Sequence, residues 1–192
     1  ARDQNFRYEL RPSDWDTAMS VFTSHQAQVL MGSIASSQER IDGGWFFSHS
    51  FYDSVTQSMA MEPSSDTNTL EDLAGKAVAV VSGTLGAAYA ESVKDKYGFS
   101  IATFSDSHSM YAAVLKGRVA ACFEDTPALR DSIAGGVALE LVPGSEGAAS
   151  DYCVAICDEK DRPFLELFNQ GLANIRANGI YDAILAKYAD TL

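Results

Sequence analysis

The chain is short of positive charge: 14 Lys and Arg stand against 26 Asp and Glu, a formal net charge of −12 over 192 residues. That balance argues against nucleic acid or an anionic membrane surface as partner, because both are held by clustered cations. Long apolar runs are missing too, and no stretch approaches the roughly 20 apolar residues of a membrane span. The opening Ala1-Arg2-Asp3-Gln4 is polar and lacks the basic-then-apolar pattern of a leader, so an exported form would be a processed or trimmed one. Cysteine is sparse. Cys122, Cys153 and Cys157 are odd in number and lack zinc-ligand spacing. A strand through Cys153 and Cys157 would hold them roughly 13 Å apart, beyond disulfide reach. All three read as small buried hydrophobes. His25, His49 and His108 are scattered, and neither a nucleophile elbow nor the Gly-x-x-x-x-Gly-Lys phosphate loop occurs. Internal repeats and low-complexity segments are lacking. No metal, cofactor or enzymatic chemistry is expected from this inventory.

What is present is organised around Lys76-Ala77-Val78-Ala79-Val80-Val81-Ser82-Gly83-Thr84-Leu85-Gly86. Val78, Val80 and Val81 predict a parallel strand covered on both faces. Ser82 to Gly86 predicts a turn straight into a helix over Ala87–Val93. A helix start with open N–H donors suits a carboxylate or phosphate, but an ordinary turn capped by Ser82 or Thr84 fits this stretch as well.

Earlier in the chain, alternation at Phe6, Tyr8 and Leu10 predicts a strand. Asp14 or Asp16 then caps a helix with Trp15, Ala18, Met19 and Phe22 on its apolar side. A second strand is expected over Ala27–Gly32, a Ser37-capped turn at Gln38-Glu39-Arg40, and a strand over Val55–Met61. Pro63–Asn68 reads as a surface loop, and Leu70–Gly75 as a helical turn closed by glycine. A strand–helix rhythm follows: strand Ser100–Phe104, a helix through Met110, Ala113, Val114 and Leu115, and strand Val119–Phe123. Next come the junction Glu124-Asp125-Thr126-Pro127, helix Ala128–Ile133 and strand Ala138–Val142. That alternation implies an α/β sheet with parallel pairs and right-handed crossovers. Pro143–Gly147 reads as a loop and Tyr152–Cys157 as a strand. A long amphipathic helix on Phe164, Leu167, Phe168, Leu172 and Ile175 breaks at Asn178-Gly179 before a closing helix with Ile184, Leu185 and Tyr188.

Four stretches in order resemble the bacterial family 3 solute-binding proteins, the type II amino-acid receptors of ABC importers. Ser37-Gln38-Glu39-Arg40 with Phe47-Ser48-His49-Ser50-Phe51-Tyr52 is similar to the family's Thr-x-x-Arg and Phe-Ser-x-Pro-Tyr pair. Leu73 to Thr84 resembles its Leu-x-Gly-Lys strand and Ser-Gly-Thr turn. Leu115 to Pro127 resembles its Gly-Arg-Val-Asp-Ala block ending in Asp-x-Pro. Asn169-Gln170-Gly171-Leu172 with Asn178-Gly179-Ile180-Tyr181-Asp182-Ala183-Ile184 resembles its Asn-x-x-Leu and Gly-x-Tyr-x-x-Ile tail. The resemblance implies a two-lobed periplasmic-binding-protein-like (type II) α/β fold, with parallel-rich sheets, flanking helices and ligand in the cleft between lobes. Lobe one would comprise residues 1–52 and 151–192 and lobe two residues 53–150, with crossing strands near Phe51–Val55 and Ser150–Cys153. The family opens with a strand and helix ahead of the segment aligned to Phe6. Their lack here implies either a shortened chain or another chain or segment completing lobe one.

Residue by residue, the resemblance makes Arg40 the clamp on a ligand α-carboxylate, where a guanidinium fork can bond both oxygens; a surface arginine paired with Glu39 or Asp42 is the plainer alternative. Asp125 would accept the ligand ammonium from a strand end, where α/β sheets place ligand groups, in competition with capping the Pro127 helix. Ser82, Gly83 and Thr84 would donate to the carboxylate. Leu85 stands where the family has Thr or Gly, which leaves only its backbone. Ser33 and Ala35 fall where lobe one lines the cleft, Ala35 in place of a hydroxyl. Trp45, Phe47 and Tyr52 are aromatic candidates for ligand contact or core, and His49 is the first acid–base suspect should the chain be an enzyme.

The implied function is extracytoplasmic binding of a small polar ligand, an amino acid or related carboxylate. Lobe closure would present it to the membrane permease of an ABC importer, in the periplasm or at the cell envelope. The first alternative is a ligand-sensing ectodomain of a membrane signalling receptor. The weaker one is a dehydratase-like enzyme on the same fold.

Overall fold

The computed structural model describes residues 1–188, which divide into two compact units. Of the described residues, one unit comprises 1–54 with 150–188, the other 55–149. Among the described residues no helix is long and apolar enough to cross a membrane.

The first unit opens with α1 (Trp15–Thr23), whose start is set by Asp14, accepting from the Thr17 N–H at 2.8 Å. The short α2 (Gln38–Asp42) is capped by Ser37, which accepts from the Arg40 N–H at 3.3 Å. β1 (Phe46–Phe47) pairs antiparallel with β8 (Ala155–Ile156). Single bridges join Leu30 to Ala155 and Ala35 to Tyr152. Alternation along the strand around β8 splits the core. Ala155 packs with Phe22, Leu30 and Ile34, while Val154 and Ile156 pack with Leu165 on the other side. Leu165 belongs to α6 (Arg162–Ala177), and α7 (Ile180–Lys187) follows the break at Asn178-Gly179.

The second unit is built on one sheet. β2 (Tyr52–Met61), β3 (Ala77–Val81), β4 (Ser100–Phe104), β5 (Ala121–Asp125) and β6 (Glu140–Leu141) lie in the order β4-β3-β5-β2-β6, with β7 (Gly147–Tyr152) also paired to β2. β3 runs parallel to both neighbours, in register Val80↔Thr103 on one side and Ala79↔Cys122 on the other. β2 is antiparallel to β5 and β6. Parallel neighbours require crossovers, supplied by α3 (Leu85–Tyr97) and α4 (Ser107–Leu115), and α5 (Thr126–Ala134) follows β5. Asp106 caps α4 through the Ser109 N–H at 2.7 Å. α3 ends at Gly98, whose φ of +71° is the left-handed C-cap that glycine adopts without strain. Phe123 anchors the core between Tyr89, ring centroids 5.3 Å apart, and Phe99, 6.1 Å apart.

Several expectations shift. Phe6–Leu10 forms no strand, and Tyr8 and Leu10 are 65% and 70% exposed. Alternation marks a face, but a strand exists only where its N–H and C=O groups find a partner. Ala27–Gly32 contracts to the bridge at Leu30 for the same reason. Val119–Phe123 moves two residues on, so Glu124 and Asp125 end the strand instead of forming a junction loop. Ala138–Val142 shortens to β6, Gly147 begins β7 instead of ending a loop, and Tyr152–Cys157 keeps only β8 as an independent strand. Leu167 and Ile184 are exposed, not core. Cys122 and Cys153 are buried, whereas Cys157 is only partly so, its thiol lying 3.2 Å from the Phe22 carbonyl oxygen and 3.6 Å from His25 Nδ1.

In the second unit a glycine is seated closely against neighbouring backbone at Gly86, in the first turn of α3. A Cβ there would lie 2.7 Å from the carbonyl oxygen of Phe123 and 3.2 Å from the Cα of Glu124. Both are backbone atoms that cannot rotate away. Gly86→Ala, a change that favours an exposed helix, should here cost about 1–3 kcal/mol in urea unfolding. Unchanged stability would show that α3 can lift off β5 freely.

Candidate functional site

In the first unit the Ser37 cap sets the phase of α2 and so the direction of Arg40. The guanidinium Nη1 donates to the Ala35 carbonyl oxygen at 2.6 Å. Its carbon sits 5.9 Å from the ring centre of Trp15 and 5.4 Å from that of Trp45. Trp45 is itself braced edge-on by Phe22 at 4.9 Å and flanked by Phe47 at 6.2 Å. A planar cation between indole faces keeps its charge while losing rotational freedom. Ala35 is fully buried and contributes its carbonyl, and Ser33 is exposed in the loop before it. The structure thus brings Arg40 and Ala35 together and links Ser33 to them only through the chain. Trp15, read from the sequence as one member of an apolar helix face, is drawn into this group. His49 stands apart in an exposed loop, its backbone N–H donating to Asn169 Oδ1 at 2.7 Å, and Tyr52 stacks on Tyr152 at 6.0 Å.

In the second unit the parallel sheet gathers the remaining candidates at the C-terminal ends of β3 and β5. Carrying the register Ala79↔Cys122 forward along both strands brings Ser82 level with Asp125. The Ser82 N–H donates to the Phe104 carbonyl at 3.0 Å, and Gly83 takes the left-handed φ of +69° that the turn requires. Thr84 is the cap of α3. Its hydroxyl donates to the Val81 carbonyl at 2.8 Å and accepts from the Ala87 N–H at 3.2 Å, so that group serves the turn. Leu85 is the first residue of the helix.

Asp125 is buried, 7% exposed, and although it occupies the N-cap position of α5 its side chain makes no cap bond. Its Oδ1 instead accepts from Gln57 Nε2 at 2.6 Å. The next residue, Thr126, bridges to β2: its hydroxyl lies 2.8 Å from that of Thr56 and 2.6 Å from that of Ser58. Sequence reasoning missed Gln57, whose signal was an uncharged polar residue inside the buried run Val55–Met61.

Glu124 was likewise unassigned. Its carboxyl accepts from the Ser107 hydroxyl at 2.7 Å and from the Tyr111 hydroxyl. Burial pushes its pKa above the ordinary glutamate value of 4.5, with Asp125 adding to the rise and the two hydroxyls opposing it. Burial and the neighbouring Glu124 charge push the Tyr111 phenol up as well.

The profile of a family described as bacterial extracellular solute-binding proteins, family 3, matches residues 1–191. Among curated proteins, the lysine/arginine/ornithine-binding periplasmic protein of Escherichia coli (strain K12) is 25% identical over 194 aligned positions, covering 93% of this chain and 70% of that protein. Among solved structures, the second substrate-binding domain assigned to an amino acid ABC transporter of Streptococcus pneumoniae is 33% identical with a TM-score of 0.63, covering 97% of this chain and 84% of that one. The GluR0 ligand-binding core of Nostoc punctiforme, in complex with L-glutamate, has a TM-score of 0.82 at 21% identity, covering 98% of this chain and 86% of that one, a likeness of fold.

Because the folded state holds the Glu124 proton more tightly than the unfolded chain, this group's contribution to stability is fully present below 4.5. It is lost as pH rises through the raised folded value. Glu124→Gln keeps both hydroxyl contacts without a charge to bury. Urea unfolding across a pH series should show the variant gaining on the parent from mildly acid to neutral pH. A difference that does not change with pH would remove Glu124 as the titrating group.

Proposed function

Since the chain belongs to the bacterial extracellular solute-binding proteins, family 3, we propose that it binds an amino acid or related carboxylate outside the cytoplasm for delivery to an ABC-type importer. Proteins of this family, and those similar to the chain, are binders rather than enzymes. The observation that carries the reading is the mounting of Arg40: a capped turn aims it, a backbone carbonyl anchors it and two indoles flank it. That is a cation kept rigid enough to recognise a carboxylate with little entropy loss on binding.

Asp125 is proposed as the acceptor for the ligand ammonium, supported by its burial at a strand end and by its lack of a capping role. Backbone groups of Ser82, Gly83 and Leu85 are proposed to assist at the carboxylate, along with Ser33 and Ala35. Thr84 is proposed to act through its backbone, its hydroxyl being committed to the helix cap. The lobes follow the proposed boundaries, residues 1–52 with 151–192 and residues 53–150. A ligand held by groups of both lobes only when they are closed shifts the population toward that form, which a membrane permease would read.

A second reading, compatible with the fold shared with a ligand-binding core in complex with L-glutamate, is the sensing ectodomain of a membrane signalling receptor. The encoding gene discriminates: a membrane span followed by a signalling domain in the same reading frame selects the sensor.

The chain contains two tryptophans, and both flank Arg40, so indole emission is a direct probe of that site. Titration with L-arginine, L-lysine, L-histidine, L-glutamine and L-glutamate should give a saturable emission change and a raised melting temperature with at least one of them. Arg40→Ala and Asp125→Ala should each weaken that ligand by about a hundredfold or more while the fold persists. Undiminished affinity in either variant would take that residue out of the site.

A further inference from the structure

Gln57 lies in the middle of β2 with no exposed surface, directly opposite Asp125 in the antiparallel register. Its amide nitrogen is 2.6 Å from Asp125 Oδ1. That contact fixes the orientation of the amide, because the reverse placement would set two acceptor oxygens against each other. The carbonyl Oε1 is therefore directed away from the shared bond. It is buried, and among the described residues it has no hydrogen-bond partner. Its polar neighbours on β2 are satisfied: the Ser58 and Thr56 hydroxyls both meet Thr126, and the Met59 N–H donates to the Ser145 hydroxyl at 2.9 Å.

An acceptor buried without a donor is a standing cost to the fold, and each such group in a native structure calls for an explanation. The two oxygens of an amide and a carboxylate joined by one N–H···O contact also lie within reach of a single donor carrying several N–H groups. An ammonium has three.

We infer that Gln57 is a ligand-binding residue: its Nε2–H aims the Asp125 carboxylate, and its Oε1 is a second acceptor for the same ligand ammonium. This rests on the proposed role of Asp125. It explains why a glutamine, and not a larger version of its apolar neighbours, occupies the position, since Leu or Met would fill the space and remove the unpaired oxygen. The chemical class follows from the pairing of one anionic and one neutral acceptor: a primary ammonium, as in a free α-amino acid, and not an N-acylated or des-amino acid.

The test uses the full chain and the amino acid among L-arginine, L-lysine, L-histidine, L-glutamine and L-glutamate that the parent binds, with isothermal titration of parent, Gln57→Met and Asp125→Ala. Gln57→Met should weaken that amino acid by about tenfold or more. Its unfolding midpoint without ligand should stay near the parent's, because the lost charge-assisted bond and the relieved oxygen oppose each other. The des-amino analogue of the ligand should bind the parent weakly and lose nothing further in Gln57→Met, since the group that Oε1 contacts is already gone. Gln57→Leu serves in place of Met should the longer side chain overpack the strand.

If Gln57→Met binds like the parent while Asp125→Ala does not, Gln57 is only structural and the inference falls, with the reading of Asp125 intact. A lower unfolding midpoint with unchanged affinity says the same. If Asp125→Ala binds like the parent, or the parent binds none of the five, the reading of the site fails and the inference with it.

Discussion

The second unit depends on one constraint, the double-sided burial of β3. Parallel partners on both edges and helices on its faces leave no position along Ala77–Val81 for a polar side chain, and Val78 to Val81 are all buried. Parallel strands can be joined only by crossovers, so every strand of this set ends at the same edge, where its helix begins. That edge is where the chain can first place polar groups, and Ser82, Gly83, Glu124 and Asp125 all stand on it. The close seat of Gly86 on the Phe123 carbonyl locks this edge in place. The chemistry of the edge is thus a product of the packing behind it.

The same dependence separates what the sequence revealed from what it concealed. Local signals were legible wherever a local interaction decides the outcome. Ser37 and Asp14 act within a few residues of themselves, and the elements they begin form as expected. The Val78–Val81 strand was legible because full burial demands a run of apolar residues with no alternation. Phe6–Leu10 and Ala27–Gly32 have strand-like patterns, but a strand is decided by a partner distant in sequence, and pattern alone does not contain one. The boundary of β5 slipped for a related reason. Glu124 and Asp125 look like loop residues until Tyr111, Ser107 and Gln57 are brought to them.

The candidate site followed the same division. Arg40 and Asp125 could be singled out because each sits in a short stretch resembling a family's motif. Their surroundings could not. The indoles that flank Arg40 come from α1 and from the segment before β1, on either side of it in sequence, and nothing in the spacing of Trp15 and Trp45 announces that they converge. Thr84 shows the opposite case, in which a residue carried by the motif proves to spend its hydroxyl on the helix cap. A motif identifies positions, whereas hydrogen-bond accounting decides which atoms at those positions remain for a ligand.

Accounting of that kind also explains how neighbouring acids on one strand are held differently. Glu124 and Asp125 are adjacent, so strand geometry sends their side chains to opposite faces of the sheet. Among the described residues Glu124 meets the hydroxyls of Ser107 and Tyr111, which stabilise a carboxylate less than a cation would, and burial raises its proton affinity. Asp125 meets an amide donor from β2 and stands at the start of α5, where the helix dipole favours negative charge. One face of β5 therefore holds an acid whose proton affinity is raised by burial, and the other an acid held by an amide donor at a helix start. Of the two, Glu124 has each carboxyl oxygen engaged by a hydroxyl of Ser107 or Tyr111, whereas Asp125 stands at the start of α5 beside the β2 amide, which is why the proposed site lies on the Asp125 face.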